Sequence, residues 1–361
     1  MRITTTILVS AALLLVQTAP AQSTATPPTQ PTSGPGGSDY PYGSVTTDGP
    51  YWAGNQNTNN NLKYYIYEPG TPAPATAPVI LFLHGYGALN ASYYQRWMNH
   101  MVMKGYVVVW PRYQAQLTSV FKNYPSNAEA AWTDALSRMQ GSTWEGHVRP
   151  AQNPDGSLQT MIVGHSFGGW IAGWLAGAAS TATPTFPAPE ALVMIEPASL
   201  GLLPPINFAG ISPNTQMLIL SADEDNVACS ANGVSIFEST TQVPPAQKNY
   251  LFFNSDSYGS PAQLGNHFFP DTNGYKDDND FAPYYGVDAR DYYVTWKLSV
   301  AAANCVFSGA NCDYFLGNGS ADQLDMGNWS DGTPEKPMSY YADPTQLPPI
   351  KGCATNKKSL K

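Results

Sequence analysis

Apolar residues along the chain follow two alternating patterns, which predict strands and helices in turn. Short runs of consecutive apolar residues, typical of strands buried on both faces, occur in LKYYIYE, PVILFLH, GYVVVW, QTMIV, ALVMIE, QMLIL and NYLFFN. Apolar residues at helical spacing predict helices around residues 93–104, 126–140, 170–176 and 288–303, with Ser126 as the candidate N-cap of the second helix. The alternation predicts an α/β fold with a doubly wound, mostly parallel sheet.

The two ends of the chain lack this alternation. Residues 1–21 combine one arginine, a short apolar stretch and an Ala-x-Ala site, which is typical of a cleaved secretory signal peptide and too short for a membrane-spanning helix. Residues 22–50 are rich in Pro, Gly, Ser and Thr, and we expect a flexible linker or a loosely packed arm there. The α/β domain then occupies residues 51–303, and residues 304–361 form an irregular C-terminal extension.

Four cysteines in a secreted chain predict two disulfides. Three pairings are possible. We favour Cys305 with Cys312, which closes a short loop, and Cys229 with Cys353, which ties the extension to the domain. An extracellular or periplasmic location follows from the signal peptide and agrees with these disulfides.

The charge balance excludes some classes of partner. The chain has 17 basic and 26 acidic residues, a net charge of −9, and no basic patch. This balance argues against nucleic-acid binding and against adsorption to anionic membranes. Neither a phosphate-binding glycine loop nor a cluster with metal-ligand spacing is present in the sequence, so we expect no cofactor and no metal.

Ser166 lies between a predicted strand and a predicted helix in the stretch IVGHSFGGW. A serine in that position, flanked by glycines, is typical of a nucleophile elbow, a sharp turn that presents the hydroxyl. An ordinary turn is the alternative, because the chain contains 31 glycines. The chemistry of the remaining residues favours the nucleophile.

A serine nucleophile needs a general base and an acid that orients it. In serine hydrolases with this strand-turn-helix arrangement the order along the chain is Ser, acid, His, and His267 is the histidine that follows Ser166. Asp225 is the favoured acid, since it lies deepest in the loop ADEDNV after a strand. Asp223, in the same loop, and Glu196, at the end of ALVMIE, remain alternatives.

An oxyanion hole requires backbone N–H groups near the nucleophile. Phe167, the residue after the serine, supplies one candidate donor. Tyr86 supplies the second, because the turn HGYG follows an apolar strand well upstream.

The segments HGYG, GHSFGG, ADEDNVA and NHFFP together resemble those of α/β-hydrolases, over about residues 60–300. Within that fold the chain is similar to bacterial secreted esterases, lipases and cutinases, and to platelet-activating-factor acetylhydrolase and dienelactone-hydrolase-like enzymes. The resemblance implies hydrolysis of carboxylic esters through a Ser-His-Asp triad and an acyl-enzyme intermediate. Amide or peptide hydrolysis, acyl transfer on the same triad, and a non-catalytic binding module are the alternatives.

The connection where this fold often carries a cap is short in this chain. Only about 20 residues, rich in Pro and Gly, separate ALVMIE from QMLIL, too few for a large helical cap. We therefore expect an open site, which suits surface-presented or polymeric esters as well as small ones.

Overall fold

A computed structural model describes residues 23–55, 57–180, 185–271 and 286–353. The expected signal peptide, residues 1–21, lies outside the described residues.

The strands of the described residues form one large sheet and one small pair. They are β1 (Val45–Trp52), β2 (Lys63–Pro69), β3 (Thr76–Ala77), β4 (Val79–Leu83), β5 (Val107–Pro111), β6 (Arg149–Pro150), β7 (Thr160–His165), β8 (Ala191–Ile195), β9 (Gln216–Ala222), β10 (Lys248–Phe253) and β11 (Ser339–Tyr340). The large sheet has the order β1-β2-β5-β4-β7-β8-β9-β10-β11, and β3 pairs with β6. The six central strands from β5 to β10 are parallel, whereas β1, β2 and β11 pair antiparallel at the edges.

Helices cover both faces of this sheet. They are α1 (Gln95–Met103), α2 (Tyr124–Gln140), α3 (Phe167–Ala178), α4 (Ala231–Ser239), α5 (Trp296–Ser308), α6 (Cys312–Phe315) and α7 (Ala321–Leu324). Helices α2, α3 and α4 belong to the apolar core on one face, and α1 and α5 belong to the core on the other. The prediction of a doubly wound, mostly parallel sheet is confirmed. Among the described residues, no helix is both long and apolar enough to span a bilayer.

Helix α2 begins earlier than the sequence pattern predicts. Its first residue is Tyr124, with Pro125 next, and Ser126 lies inside the first turn. Proline is tolerated there because the first helical N–H groups have no partner within the helix. Ser126 Oγ donates to the carbonyl of Asn123, 3.0 Å away, so its assignment as the N-cap is wrong.

The segment expected to be a loose arm is packed against the domain. Lys104 Nζ donates to the carbonyl of Gly34 at 2.8 Å, and His100 Nε2 lies 2.7 Å from the carbonyl oxygen of Pro35. Strand β1 crosses the expected boundary at residue 50, and α5 crosses the one at residue 303. The arm has few apolar side chains, but its backbone carbonyls still accept hydrogen bonds from helix side chains.

Both favoured disulfides are present, Cys229–Cys353 and Cys305–Cys312, which confirms that pairing. The first joins the C-terminal extension to the loop that follows β9, and the second links α5 to α6. The Cys229–Cys353 disulfide thus cross-links the extension to the domain.

Candidate active site

The candidate residues meet at one edge of the sheet because they follow the carboxyl ends of its parallel strands. Tyr86 lies in the turn after β4, Ser166 directly after β7, and Glu196 directly after β8. Asp225 follows β9 and His267 lies beyond β10. This edge is where open α/β sheets place their ligand sites.

The turn at Ser166 has the backbone conformation of a nucleophile elbow. Ser166 has φ 55° and ψ −121°, in the left-handed range that a non-glycine residue adopts only at a cost. The turn is held in place by the Ser166 N–H, which donates to the carbonyl of Ile195 at 3.0 Å.

Glycines let this turn approach the sheet. A Cβ on Gly168 would lie 2.0 Å from the carbonyl oxygen of Leu83, and one on Gly164 would lie 2.3 Å from that of Gly168. Side chains at these positions would force α3 away from β4 and β7. The glycines around Ser166 are therefore required by packing.

His267 links the serine to a carboxylate. Its Nε2 lies 2.9 Å from Ser166 Oγ, and its Nδ1 lies 3.1 Å from Asp225 Oδ1. His267 Nδ1 and Asp225 Oδ1 are close enough for an ion pair, but their alignment is not that of a hydrogen bond. All three side chains are buried, so their interactions are weakly screened by solvent.

Asp225 is fixed in place by its own loop. Its Oδ1 accepts hydrogen bonds from the N–H groups of Val227 and Ala228, each at 2.9 Å. Asp223 points elsewhere, and its carboxylate accepts from the N–H and hydroxyl of Ser255. Of the two aspartates, the structure brings only Asp225 to His267.

Glu196 approaches the same imidazole from the neighbouring strand. Its Oε2 lies 3.7 Å from His267 Nδ1 and 3.5 Å from His165 Nε2. The side chain is completely buried and neither carboxyl oxygen has a hydrogen-bond partner. Burial, followed by the charges of Asp225 and Asp271, raises the pKa of Glu196 well above its ordinary value, which favours the neutral acid.

Two buried residues next to the site were not singled out from the sequence. The Gly85 N–H donates to Tyr94 Oη at 3.0 Å, and Tyr94 Oη lies 2.7 Å from His165 Nδ1. Burial lowers the pKa of His165 well below its ordinary value, so the imidazole is neutral. Contacts therefore run from the HGYG turn through Tyr94 and His165 to Glu196. The position of His165 beside Ser166 was the signal in the sequence, while Tyr94 gave none.

The turn that carries Tyr86 is held by buried side chains. His84 stacks on Tyr113 with ring centroids 4.1 Å apart, and burial lowers its pKa to about 4. The Gly87 N–H donates to Gln114 Oε1 at 3.0 Å. Phe167 is the first residue of α3, where N–H groups have no partner within the helix. Tyr86 and Phe167 both line the cleft next to Ser166, as an oxyanion hole would require.

A cleft of about 90 Å³, partly open to solvent, lies over Ser166. Three exposed side chains form what we call the apolar rim: Leu200 and Val227 line the cleft, and Leu117 adjoins its Gly87 loop. Tyr86 also lines the cleft, whereas Trp170 does not and donates to the carbonyl of Pro204 instead. The connection from β8 to β9, described throughout, contains a short 3₁₀ turn at Phe208–Gly210 and no α-helix.

Two groups of side chains among the described residues have the donor types of a metal site. They are His165, Glu196 and His267, and Asp48, Glu68 and His147. We assign neither group to a metal. In the first, His267 Nδ1 faces Asp225, and in the second, His147 Nδ1 is already 2.8 Å from Glu68 Oε1.

A comparison with protein families matches residues 55–204 to the family model described as chlorophyllase. The match spans the HGYG turn, the nucleophile elbow and Glu196, and it ends before Asp225 and His267. The chlorophyllase family belongs to the α/β-hydrolases, and the fold of this chain is of the α/β-hydrolase type. The comparison does not single out the cutinases or the platelet-activating-factor acetylhydrolases. No curated protein matches the chain.

Proposed function

We propose that the chain is a serine hydrolase of carboxylic esters, with Ser166 as nucleophile, His267 as general base and Asp225 as the acid that orients it. The observation that carries the proposal is the contact series from Ser166 Oγ through His267 to Asp225, at 2.9 and 3.1 Å. The similarity of residues 55–204 to the chlorophyllase family, whose enzymes act on an ester, supports the same reaction class.

The arrangement suits a two-step acyl transfer to water. His267 Nε2 removes the proton of Ser166 Oγ as the oxygen attacks the ester carbonyl, and Asp225 stabilises the resulting imidazolium. The N–H groups of Tyr86 and Phe167 stabilise the oxyanion. The imidazolium protonates the leaving alcohol, and a water activated by the same histidine then releases the acid.

The cleft favours an ester with an apolar part. Apart from the catalytic groups, its lining is largely aromatic and aliphatic, and the apolar rim extends that lining to the surface. An apolar acyl or alkyl chain gains free energy by leaving water for such a surface, by about 0.8 kcal/mol per buried CH₂ group. Esters presented at an insoluble surface are also accommodated. Two disulfides support a site of action outside the cytosol.

Hydrolysis of p-nitrophenyl esters, from short to long acyl chains, together with one insoluble polyester, tests the proposal. We expect kcat/KM to rise with acyl length until the chain exceeds the cleft. Leu200→Asn should reduce this rise and spare the shortest ester, because Leu200 has φ 49°, a conformation that asparagine tolerates. Tyr258→Asn, at an exposed aromatic outside the cleft lining, is the control. Absence of hydrolysis across the whole panel would refute ester chemistry.

A further inference from the structure

Two carboxyl groups, rather than one, face the same nitrogen of the candidate base. His267 Nδ1 lies 3.1 Å from Asp225 Oδ1 and 3.7 Å from Glu196 Oε2. They follow adjacent strands, β9 and β8, so the sheet brings the two carboxyl groups to the same edge. A serine triad uses one carboxylate, which leaves Glu196 without a role in the proposed mechanism.

We propose that Glu196 is a positioning residue that acts as a reserve carboxylate for His267: when substitution removes the Asp225 charge, Glu196 releases its proton to solvent and pairs with His267 Nδ1 in place of Asp225. The proposal rests on the function proposed above.

The backbone holds Glu196 in this position at a cost. Its φ of 48° is unusual for a residue with a side chain, and its N–H donates to the carbonyl of Leu220 at 2.7 Å. The carboxyl is completely buried and neither oxygen accepts or donates a hydrogen bond. A buried carboxyl without a hydrogen-bond partner is costly in a fold unless the surroundings require it.

Charge explains why Glu196 is a reserve and not a second working carboxylate. The titratable groups that face it are Asp225, Asp271, His165 and His267. Burial and the negative charges of the two aspartates raise the pKa of Glu196 well above its ordinary value, which favours its neutral form. Removal of the Asp225 charge therefore lowers the pKa of Glu196. The imidazolium that forms during catalysis then favours an ionised Glu196.

A double-mutant cycle on kcat/KM for a soluble p-nitrophenyl ester tests the proposal. We expect Glu196→Gln to stay within about threefold of the parent, because one neutral group replaces another. Asp225→Asn should lose about 10²-fold, and Asp225→Asn combined with Glu196→Gln about 10⁴-fold, the loss expected of a triad without its acid. A much larger effect of Glu196→Gln in the Asp225→Asn background than in the parent is the supporting result.

The pH profile separates this role from a structural one. In Asp225→Asn, activity requires Glu196 to be ionised, so kcat/KM should keep rising to a higher pH than in the parent. This extra rise should vanish in the double variant. Thermal unfolding of each variant controls for folding. Should Asp225→Asn not fold, Asp225→Ser, whose hydroxyl can still accept from the loop amides, gives the same comparison.

The outcomes are distinct. If Asp225→Asn already loses about 10⁴-fold and Glu196→Gln changes nothing further, Glu196 is not a reserve. If the pH profiles of the single and double variants coincide, its effect is structural and the proposal is wrong. Failure of the proposed function itself would appear separately, as a parent protein without esterase activity or as full activity in Ser166→Ala.

Discussion

At the residue scale, the site depends on which side chains each loop turns toward the imidazole. The loop after β9 contains two aspartates, two positions apart, and only Asp225 faces His267. Asp223 instead accepts from the backbone and hydroxyl of Ser255, which ties this loop to the end of β10. The two residues thus share a loop but differ in role.

Asp223→Asn should therefore affect stability more than activity. We expect kcat/KM on a soluble ester to stay within about tenfold of the parent, while the lost charge-assisted bonds lower the free energy of unfolding by about 1.5 to 3 kcal/mol. Ester kinetics and thermal unfolding on the same preparation check both. A loss of activity larger than that of Asp225→Asn would mean that the acid is misassigned.

At the element scale, the site depends on how closely α3 approaches β4. Gly168 lies in the first turn of α3, and an added Cβ would be 2.0 Å from the carbonyl oxygen of Leu83, the last residue of β4. Backbone atoms cannot rotate away as a flexible side chain can. The helix that presents Ser166 and the strand that leads to Tyr86 would both have to shift.

Gly168→Ala should destabilise the protein by about 1 to 3 kcal/mol or more, because the methyl group overpacks a backbone contact. Gly43→Ala is the matched control, since nothing lies within 4 Å of its added Cβ and its φ is not in the left-handed range. Thermal unfolding of the two variants checks the prediction. Equal melting temperatures for Gly168→Ala and the parent would contradict the close approach.

The elements themselves could largely be predicted from the sequence, since apolar runs and helical spacing report burial directly. Every predicted strand of the main sheet is present, and so are the helices around them. Prediction was less successful where backbone groups decide the structure. The arm around Pro35 packs through its carbonyls, and α2 begins at Tyr124 with Pro125 in its first turn, ahead of the predicted N-cap Ser126.

Part of the site could also be predicted, because chain order and flanking turns restrict the choice. Chain order and turns predict Ser166, Asp225 and His267, and the structure brings the three side chains together. Proximity between adjacent strand ends was harder to predict. The sequence offers Glu196 only as an alternative to Asp225, yet both carboxyl groups face His267, because β8 and β9 are neighbours in the sheet.

At the scale of the whole molecule, the C-terminal extension is joined to the domain by a disulfide and by buried polar groups. Cys353 is bonded to Cys229, and Lys297 Nζ donates to backbone carbonyls of the extension, including Gln323 O at 3.0 Å. Glu335 is almost fully buried there, and neither of its carboxyl oxygens has a hydrogen-bond partner. Burial, together with the nearby Asp256 and Asp288, raises the pKa of Glu335 to about 9.

This raised pKa makes stability depend on pH. Between the ordinary carboxyl value near 4.5 and about 9, the folded state holds one more proton at Glu335 than the unfolded state does. Glu335 therefore lowers the free energy of unfolding as the pH rises through this window, by at most about 1.4 kcal/mol per pH unit.

Glu335→Gln should remove this dependence. We expect its melting temperature, relative to the parent, to be higher at pH 8.5 than at pH 5, because only the parent must keep a proton on a buried carboxyl that the unfolded chain releases. Glu145→Gln, at an exposed glutamate, serves as the control. A difference between Glu335→Gln and the parent that is the same at both pH values would contradict the assignment.

The central claim is that Ser166 is a nucleophile activated by His267, and covalent labelling with a fluorophosphonate tests it most directly. The reagent requires an activated serine, so it should label the parent once, at Ser166. Ester hydrolysis should fall in proportion to the fraction of protein that is labelled. Ser166→Ala should fold, take up no label and lose several orders of magnitude in kcat/KM. A folded parent that is not labelled, or a Ser166→Ala variant that hydrolyses esters within tenfold of the parent, would contradict the account.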